Sequence, residues 1–326
     1  MNNILKVCAV FTVMSFFAVP CGRAQETKPP QKDEQAGEFS EWQVPVSLAN
    51  YYFVKGAIIV FGTKWGPQPQ TEQDLEDRVW EQLVLSYEAF RRGIKVEDKE
   101  LADEIDKMVK AEKETFDWQK DKDVYSAWVK NKTKENVELF QNQLRHLIQL
   151  EKLRKEVLDS FDPQVSEEEA KDKFLNEYNT IELELKQFDL QKDAQAFYLK
   201  MKDPKSWVEA SKKDPKFAQH PGFVSFEFLI DMWKIPRDDL YRMLNMDIDT
   251  VYQPIPVYKG YGVIRILKKR AADPAEFSRN RNVYFEKVKM IKKYRELNAW
   301  LKKLKEDAGI KVYPRPVAAN KAQGPQ

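Results

Sequence analysis

The sequence predicts an α+β fold that is mostly helical, in which a C-terminal helix completes a helical domain and an α+β module is inserted between them. Three observations predict it. Apolar residues recur at helical spacing through residues 71–178, residues 181–185 alternate with a period of two, and an apolar stripe returns on a long helix after Pro274. Because the strands lie between two helical stretches, the module is predicted to be an insertion.

The composition is that of an ordinary protein with real hydrophobic cores. The chain has 326 residues, 42% of them hydrophobic, which is enough for two modest domains. Its 54 basic and 52 acidic residues leave a net charge of only +2, whereas a nucleic-acid binder usually has a basic excess clustered on one face. No nucleic-acid partner is therefore expected.

The first 24 residues have the pattern of a secretory signal peptide. Lys6 precedes an apolar run at residues 7–20 that is too short to span a bilayer comfortably, and small residues precede a cleavage site after Ala24. We expect export to the periplasm, with peripheral proximity to a membrane left open. A retained anchor and lipidation at Cys21 are alternatives, the second disfavoured by Pro20 beside the cut.

Both cysteines of the chain, Cys8 and Cys21, fall inside this segment. A mature chain beginning at Gln25 would contain none, so its stability must come from packing rather than from disulfides.

The domain limits follow from changes in composition along the chain. Residues 25–40 are polar and proline-containing and predict a disordered tether, followed by an N-terminal helical domain at 41–178. Residues 51–63 are β-branched and aromatic and predict a hairpin or edge strand. Thr71 and Asp74 predict the start of the first long helix. Further helices are predicted at residues 97–113, 124–131, 135–158 and 166–178.

The α+β module is assigned to residues 179–272, a final helix to 273–313, and a loose tail to 314–326. Strands are predicted at 181–185, 223–228, 262–267 and 310–313, and helices at 193–201 and 207–212. We expect the N-terminal helical group to cover the apolar stripe of the last helix. That stripe consists of Met290, Tyr294, Leu297, Leu301, Leu304 and Ala308.

Several short stretches, in this order and spacing, carry a resemblance to a known family. They are Leu-Val-Leu-Ser-Tyr-Glu-Ala-Phe-Arg-Arg-Gly-Ile-Lys-Val at 83–96, Val-Ser-Glu-Glu-Glu at 165–169, Trp-Val-Glu-Ala-Ser at 207–211, Pro-Gly-Phe-Val-Ser-Phe at 221–226 and Gly-Tyr-Gly-Val-Ile-Arg at 260–265. The chain resembles SurA/PrsA-type exported folding factors over about residues 75–310. The resemblance implies a helical chaperone domain and a parvulin-like prolyl isomerase domain.

Parvulins lower the barrier to rotation about an X-Pro bond, which for ordinary peptide bonds is about 18–20 kcal/mol. The family uses two histidines beside an apolar pocket. In this chain, the resemblance places Gln187 and Gly262 at the positions of the two histidines, and Tyr252 in place of a turn residue. We therefore expect weak or absent prolyl isomerase activity.

The family's apolar pocket has candidate counterparts in this chain, although the same residues could be ordinary core. The candidates are Trp233, Ile235, Met243, Leu244 and Met246. Most apolar residues of a small domain are simply buried, which favours the second interpretation.

Four aromatic residues in a polar stretch of the helical domain are candidates for a client-binding surface, because exposed aromatic groups adapt to varied apolar segments. They are Phe116, Trp118, Tyr125 and Trp128. The alternative, that they fill gaps between short helices, is kept.

The two histidines are interpreted as a surface residue, His146, and a loop residue, His220. Two isolated histidines do not form a zinc site, so no metal and no cofactor are expected.

The leading hypothesis is an exported, ATP-independent chaperone that binds unfolded secreted or outer-membrane proteins and carries a degenerate parvulin-type domain. One alternative is an active prolyl isomerase that uses other residues, such as Gln187 and Tyr252. Another is an assembly subunit whose parvulin-like module docks to a partner. Both a monomer and a homodimer are compatible with the sequence.

Overall fold

The structure is a computed structural model that describes residues 34–62, 68–214 and 216–314. The predicted signal peptide at 1–24, with its cleavage site after Ala24 and with Cys21, lies outside the described residues. So do residues 25–33 of the predicted tether and the tail from 315 onward.

The chain divides into two compact units. A helical unit contains the described residues up to Ser160 and those from Glu296 onward, and a mixed unit contains Phe161–Arg295. A continuous chain segment thus interrupts the helical unit and forms the mixed one. The predicted fold class, a mostly helical α+β protein with an inserted α+β module, is confirmed.

The helical unit consists of five helices, the end of a sixth and one small sheet. Its helices are α1 (Leu48–Phe61), α2 (Glu72–Arg91), α3 (Asp98–Ala111), α4 (Lys122–Thr133) and α5 (Val137–Ser160). Its antiparallel sheet has the order β2-β1-β7, formed by β1 (Gln35–Phe39), β2 (Val44–Ser47) and β7 (Ile310–Val312).

The start of α2 is set by the local sequence, as predicted. Thr71 Oγ1 accepts a hydrogen bond from the Asp74 amide at 3.0 Å, and the Asp74 carboxylate accepts one from the Thr71 amide at 3.1 Å. This reciprocal capping box satisfies two amide groups that have no partner within the helix.

The predicted hairpin or strand at residues 51–63 is wrong, because residues 51–61 lie in helix α1, and residue 63 lies outside the described residues. Ser47 caps it by accepting from the Asn50 amide. Tyr51, Val54 and Ile58 follow helical spacing, and all three are buried. Burial of this face outweighs the modest strand preference of aromatic and β-branched residues.

The predicted tether at 25–40 is also too long at its C-terminal end. Residues 35–39 form β1, the central strand of the small sheet, where Ala36 and Phe39 are buried. Phe39 packs edge-on against Trp42 and Trp80. A strand of five residues is stabilised here by two neighbouring strands, a contribution that local composition does not reveal.

The mixed unit is built around a four-stranded antiparallel sheet of order β4-β3-β6-β5. Its strands are β3 (Thr180–Phe188), β4 (Phe223–Ser225), β5 (Val251–Val257) and β6 (Gly260–Arg270). Its helices are α6 (Glu167–Tyr178), α7 (Gln191–Met201), α8 (Pro204–Lys213), α9 (Phe226–Asp231), α10 (Arg237–Asn245) and the first part of α11 (Pro274–Ala308).

Helices cover both faces of this sheet. Ile181, Leu183 and Leu185 pack with residues of α9 and α10 in one cluster, while the other face packs against α7 and α8 around Trp207 and Val263. The alternation read at residues 181–185 therefore reflects two different packed layers.

Three features of this unit differ from the predictions, the first being that the edge strand β5 was not predicted. Residues 223–228 were predicted as one strand, but β4 ends at Ser225, whose hydroxyl caps α9 by accepting from the Phe228 amide. Helix α10 was not predicted, since a nine-residue helix between turn-forming segments gives little periodicity to read.

The apolar stripe of α11 is only partly covered by the helical unit, so that expectation was wrong for its first half. Leu304 and Ala308 are buried, and Lys305 lies 3.3 Å from Glu81. Met290 and Tyr294, by contrast, are exposed. Within the described residues, no helix is both long and apolar enough to cross a bilayer.

The unit boundary also lies earlier than the predicted one at residue 178. Helix α6 belongs to the mixed unit because Phe174 is buried against Phe277 and Tyr284 of α11. Apolar contact with the returning helix, rather than sequence proximity to α5, determines where α6 packs.

Candidate functional site

The two positions to which the sequence resemblance assigns the parvulin histidines, Gln187 and Gly262, are neighbours in the sheet. Gln187 on β3 pairs directly with Gly262 on β6, and Gly262 pairs on its other side with Ile255 on β5. At such directly paired positions, two side chains from adjacent strands can contact each other.

Gln187 uses its side-chain amide to hold the turn between β5 and β6. Its Nε2 donates to the carbonyl oxygens of Tyr258 and Lys259, each at 2.7 Å. The turn continues through Lys259 and Gly260, whose φ angles are 62° and 127°. Because both donors of the amide are engaged by the backbone, Gln187 serves here as a clasp on the turn.

Gly262 has no room for a side chain. A Cβ atom at this position would lie 2.4 Å from Leu185 Cδ1 and 2.9 Å from Val257 Cγ1. Leu185 and Val257 are themselves buried in the sheet's apolar core. The volume next to Gln187 is thus filled by aliphatic atoms.

Tyr252 belongs to a separate buried network. Its hydroxyl donates to Asp239 Oδ1 at 2.8 Å, and the same oxygen accepts from Arg242 Nη1 at 3.2 Å. Burial and the bond to Asp239 raise the pKa of Tyr252, while the bond to Arg242 acts in the opposite direction. The phenol therefore stays protonated at neutral pH and ties β5 to α10.

The five predicted pocket residues divide between core and surface. Ile235 and Met243 are fully buried in the cluster that packs on Ile181 and its neighbours. Trp233, Leu244 and Met246 are partly buried against the same cluster.

An exposed apolar surface lies beside Trp233, and we call it the aromatic rim. It consists of Phe228, Met232, Trp233 and Tyr258. The ring centroids of Phe228 and Trp233 are 6.4 Å apart, and the Tyr258 amide donates to the Trp233 carbonyl at 2.7 Å. Phe228, Met232 and Tyr258 are all exposed, with Met232 at 59%. The clasp at Gln187 holds the turn that carries Tyr258.

Sequence reasoning missed three of the four rim residues. The signal for Tyr258 was present, because Tyr258-Lys259-Gly260 is a turn sequence, and an aromatic residue in a turn is usually solvent-facing. Phe228 and Met232 became interpretable only once α9 was known to be a short helix with a single buried face.

The four aromatic candidates of the helical domain form a packed cluster. Tyr125 and Trp128 are buried and stack at 6.0 Å, so their rings are not available at the surface. Phe116 and Trp118 are partly buried against them, and Trp118 Nε1 donates to Asp106 at 2.7 Å. For Tyr125 and Trp128, burial favours the interpretation that they fill gaps between short helices.

His146 was expected at the surface, and that expectation was wrong. The ring is buried between helices, with Nδ1 3.4 Å from Ser86 Oγ and the ring edge against Phe53. Among the described residues, none forms a hydrogen bond with its Nε2. Burial lowers the pKa of His146 from 6.5 to about 4, so the imidazole is neutral at neutral pH. His220 is exposed in its loop, 3.1 Å from Glu182.

In the part of the chain that the structure describes, no group of three or more His, Cys, Asp or Glu side chains is arranged to hold a metal ion.

Solved structures of a SurA-like chaperone and of PrsA proteins are similar to this chain. A SurA-like chaperone of Campylobacter jejuni matches at 15% identity and a TM-score of 0.36, covering 84% of this chain and 97% of its own. The peptidylprolyl isomerase PrsA of Bacillus anthracis matches at 15% identity and a TM-score of 0.40, covering 72% and 97%. PrsA of Bacillus subtilis matches at 14% identity and a TM-score of 0.25, covering 85% and 92%.

These proteins are of the type named by the sequence resemblance. No family model matches the chain. No curated protein matches it either.

Proposed function

We propose that this protein is an exported, ATP-independent chaperone that binds unfolded polypeptides and whose parvulin-like module no longer isomerises prolyl bonds. The observation that carries the proposal is the geometry at Gly262. Leu185 and Val257 occupy the space that a second histidine would need, and Gln187 is committed to the turn. A hydrogen-bonded pair of imidazoles cannot form at this site without repacking the core.

The aromatic rim supports a binding role for the module. Aromatic side chains and methionine contribute large apolar contact areas, and methionine adapts to irregular partners. The rim is exposed, yet its backbone is held by the Tyr258–Trp233 hydrogen bond and by Gln187. A surface of this kind binds apolar or aromatic segments of an extended chain with little loss of its own conformational entropy.

The absence of catalysis is tested by prolyl cis/trans exchange on a short proline peptide, using the chain from Gln25 and an active parvulin as a positive control. We expect exchange at the uncatalysed rate. Clear acceleration by the wild-type chain would overturn the claim that the module is inactive, whatever the chaperone assay gives.

Client binding is tested by suppression of the aggregation of a chemically unfolded protein. Met232→Asp and Tyr258→Asp place charges in the rim, and both are expected to reduce suppression severalfold while the circular dichroism spectrum stays unchanged. Leu199→Asp is the matched control, since Leu199 is equally exposed at 58% but lies on α7, which covers the other face of the sheet. Failure of the wild-type chain to suppress aggregation would refute the chaperone proposal. An equal loss of suppression in all three variants would refute only the claim that the aromatic rim binds clients.

An active isomerase remains the second candidate because of the buried Tyr252–Asp239 hydrogen bond, which is a polar network inside an otherwise apolar core. If that network acted on a bound proline, Tyr252→Phe would abolish any acceleration seen with the wild-type chain. With no acceleration in the wild type, the network is a structural element only.

A further inference from the structure

Helix α11 carries a heptad seam whose first half faces solvent. Val283, Lys287, Met290 and Tyr294 follow one another at alternating intervals of four, three and four residues, and Leu297, Leu301, Leu304 and Ala308 continue the same alternation. A repeat of 3.5 residues sustained over four heptads is the pattern of a helix that packs against another helix along its length. Lys287 is the one polar residue in the seam.

The chain itself covers only the end of this seam. Leu304 and Ala308 are buried, whereas Val283 and Tyr294 are each 53% exposed and Met290 is 38% exposed. Ile291, next to the seam, is exposed as well. Val283, Met290 and Ile291 line a shallow groove of about 780 Å³ between α6 and α11, together with Lys173, Glu177, Asn282, Glu286 and Lys287.

We propose that the Val283–Tyr294 face of α11 binds the same face of a second copy of this chain in an antiparallel, twofold-symmetric helix pair. The twofold axis would cross α11 between Val288 and Lys289. Val283 then faces Tyr294 of the second copy, and Lys287 faces Met290 of the second copy. Both contacts recur by symmetry, as an isologous interface requires.

The charges beside the seam favour this pairing. In the antiparallel arrangement, Glu286 of each copy comes opposite Lys293 of the other, which gives two attractive pairs across the interface. Neither side chain makes a hydrogen bond or a salt bridge within the described residues.

A parallel pair of the same helices is disfavoured by the same residues. It would set Lys287 against its own copy in the middle of the seam, and Glu286 would come opposite Ile291 rather than a lysine. In the antiparallel pair, the Lys287 side chain instead lays its methylene stem along Met290 while its ammonium group remains on Glu177 at 2.7 Å.

The first test is equilibrium sedimentation of the chain from Gln25 with charge reversals. We expect a dimer that dissociates on dilution. Glu286→Lys and Lys293→Glu alone should each weaken it at least tenfold, since each turns two attractive pairs into two repulsive ones. The double variant should restore it to within about threefold. Glu296→Lys is the control, because Glu296 is exposed on the opposite side of α11.

The second test uses the absence of cysteine after residue 24. In the double variant Val283→Cys/Tyr294→Cys, the two positions lie about 16 Å apart along one helix, too far for an internal disulfide. Mild oxidation should therefore give a covalent dimer, and either single variant should stay monomeric.

A chain that remains monomeric up to about 1 mM overturns the proposal, as that excludes even millimolar affinity. So does a dimer that the double charge reversal fails to restore, or one that the single cysteine variants cross-link equally well. None of these outcomes bears on client binding, which is measured separately.

Discussion

Replacement of His146 should remove a large part of the acid sensitivity of the helical unit. The imidazole, on α5, is buried against α2 and makes one weak polar contact, to Ser86. Within the described residues, no partner is placed to stabilise a positive charge on it. Burial lowers its pKa from 6.5 to about 4. In the unfolded chain the same group is protonated below about pH 6.5.

The sign and size of the effect follow from proton linkage. The unfolded state binds more protons than the folded state between pH 6.5 and 4, so stability falls as the pH drops through this range and levels off below it. A shift from 6.5 to about 4 corresponds to about 3 kcal/mol in full, of which about 2 kcal/mol is lost between pH 7.5 and 5.0.

The neighbouring titratable groups do not remove this effect. Glu135, beside the buried Gln143 on α5, has a pKa that burial raises, so it acts in the opposite direction at low pH. Glu88 is buried on α2 but engaged by Arg91 and Arg92. Comparison of the wild type with a His146 variant cancels these contributions, since they are present in both.

The assay is amide hydrogen exchange followed by mass spectrometry on peptides from α2 and α5, at pH 7.5 and 5.0, after correction for the intrinsic exchange rate. His146→Gln should lose about 2 kcal/mol less protection than the wild type on acidification. His220→Gln is the control, because it removes the only other histidine from an exposed loop. Equal losses in the wild type and His146→Gln would refute the reasoning.

Two further predictions concern the mixed unit. Gly260→Ala should destabilise it more than Gly222→Ala does in urea titrations. Both glycines have positive φ, so alanine at either position carries a backbone conformational cost of about 1 kcal/mol. At Gly222, the control, a Cβ meets nothing and this is the whole cost. At Gly260 a Cβ would also lie 2.1 Å from a backbone oxygen, which adds a steric cost. Tyr252→Phe should cost about 1–3 kcal/mol by leaving the buried Asp239 carboxylate without its hydroxyl donor. A Tyr252→Phe variant with an unchanged urea midpoint would contradict the role given to that bond.

The long-range organisation of the fold was readable from sequence because it depends on periodicity. The stripes of α2 and α5 and the alternation in β3 persist over enough residues to identify each element, and the Thr71 capping box fixes where α2 begins. The return of a helical pattern after the strands was sufficient to predict an insertion.

The errors share a different cause, which is tertiary contact. Residues 51–61 have strand-like composition but bury a helical face. Residues 35–39 have tether-like composition but join a sheet in which one neighbouring strand, β7, is about 270 positions away. The burial of His146 depends on the packing of α1, α2 and α5, and no window of residues around it records that packing.

The candidate site was only partly predictable for a similar reason. The family pattern located Gln187 and Gly262, and the structure places them side by side. It could not reveal that Leu185 and Val257 fill the space between them, because that depends on which rotamers the core adopts.

The small sheet of the helical unit has a consequence for how the chain is made. Its central strand, β1, pairs with β7, so that Gly37 lies opposite Val312. A polypeptide emerges from the ribosome, or from a translocation channel, beginning at its N-terminal end. The helical unit therefore cannot complete its sheet until almost the entire chain has been delivered.

Closing a loop of this length is entropically costly, and contacts between distant residues slow folding. The mixed unit, in which β3 and β6 pair within one continuous segment, can form earlier. We expect the order of assembly to be the reverse of the order of synthesis, with the inserted unit complete before the unit that surrounds it. A chain that ends before Ile310 should accordingly leave one edge of β1 without its partner strand β7.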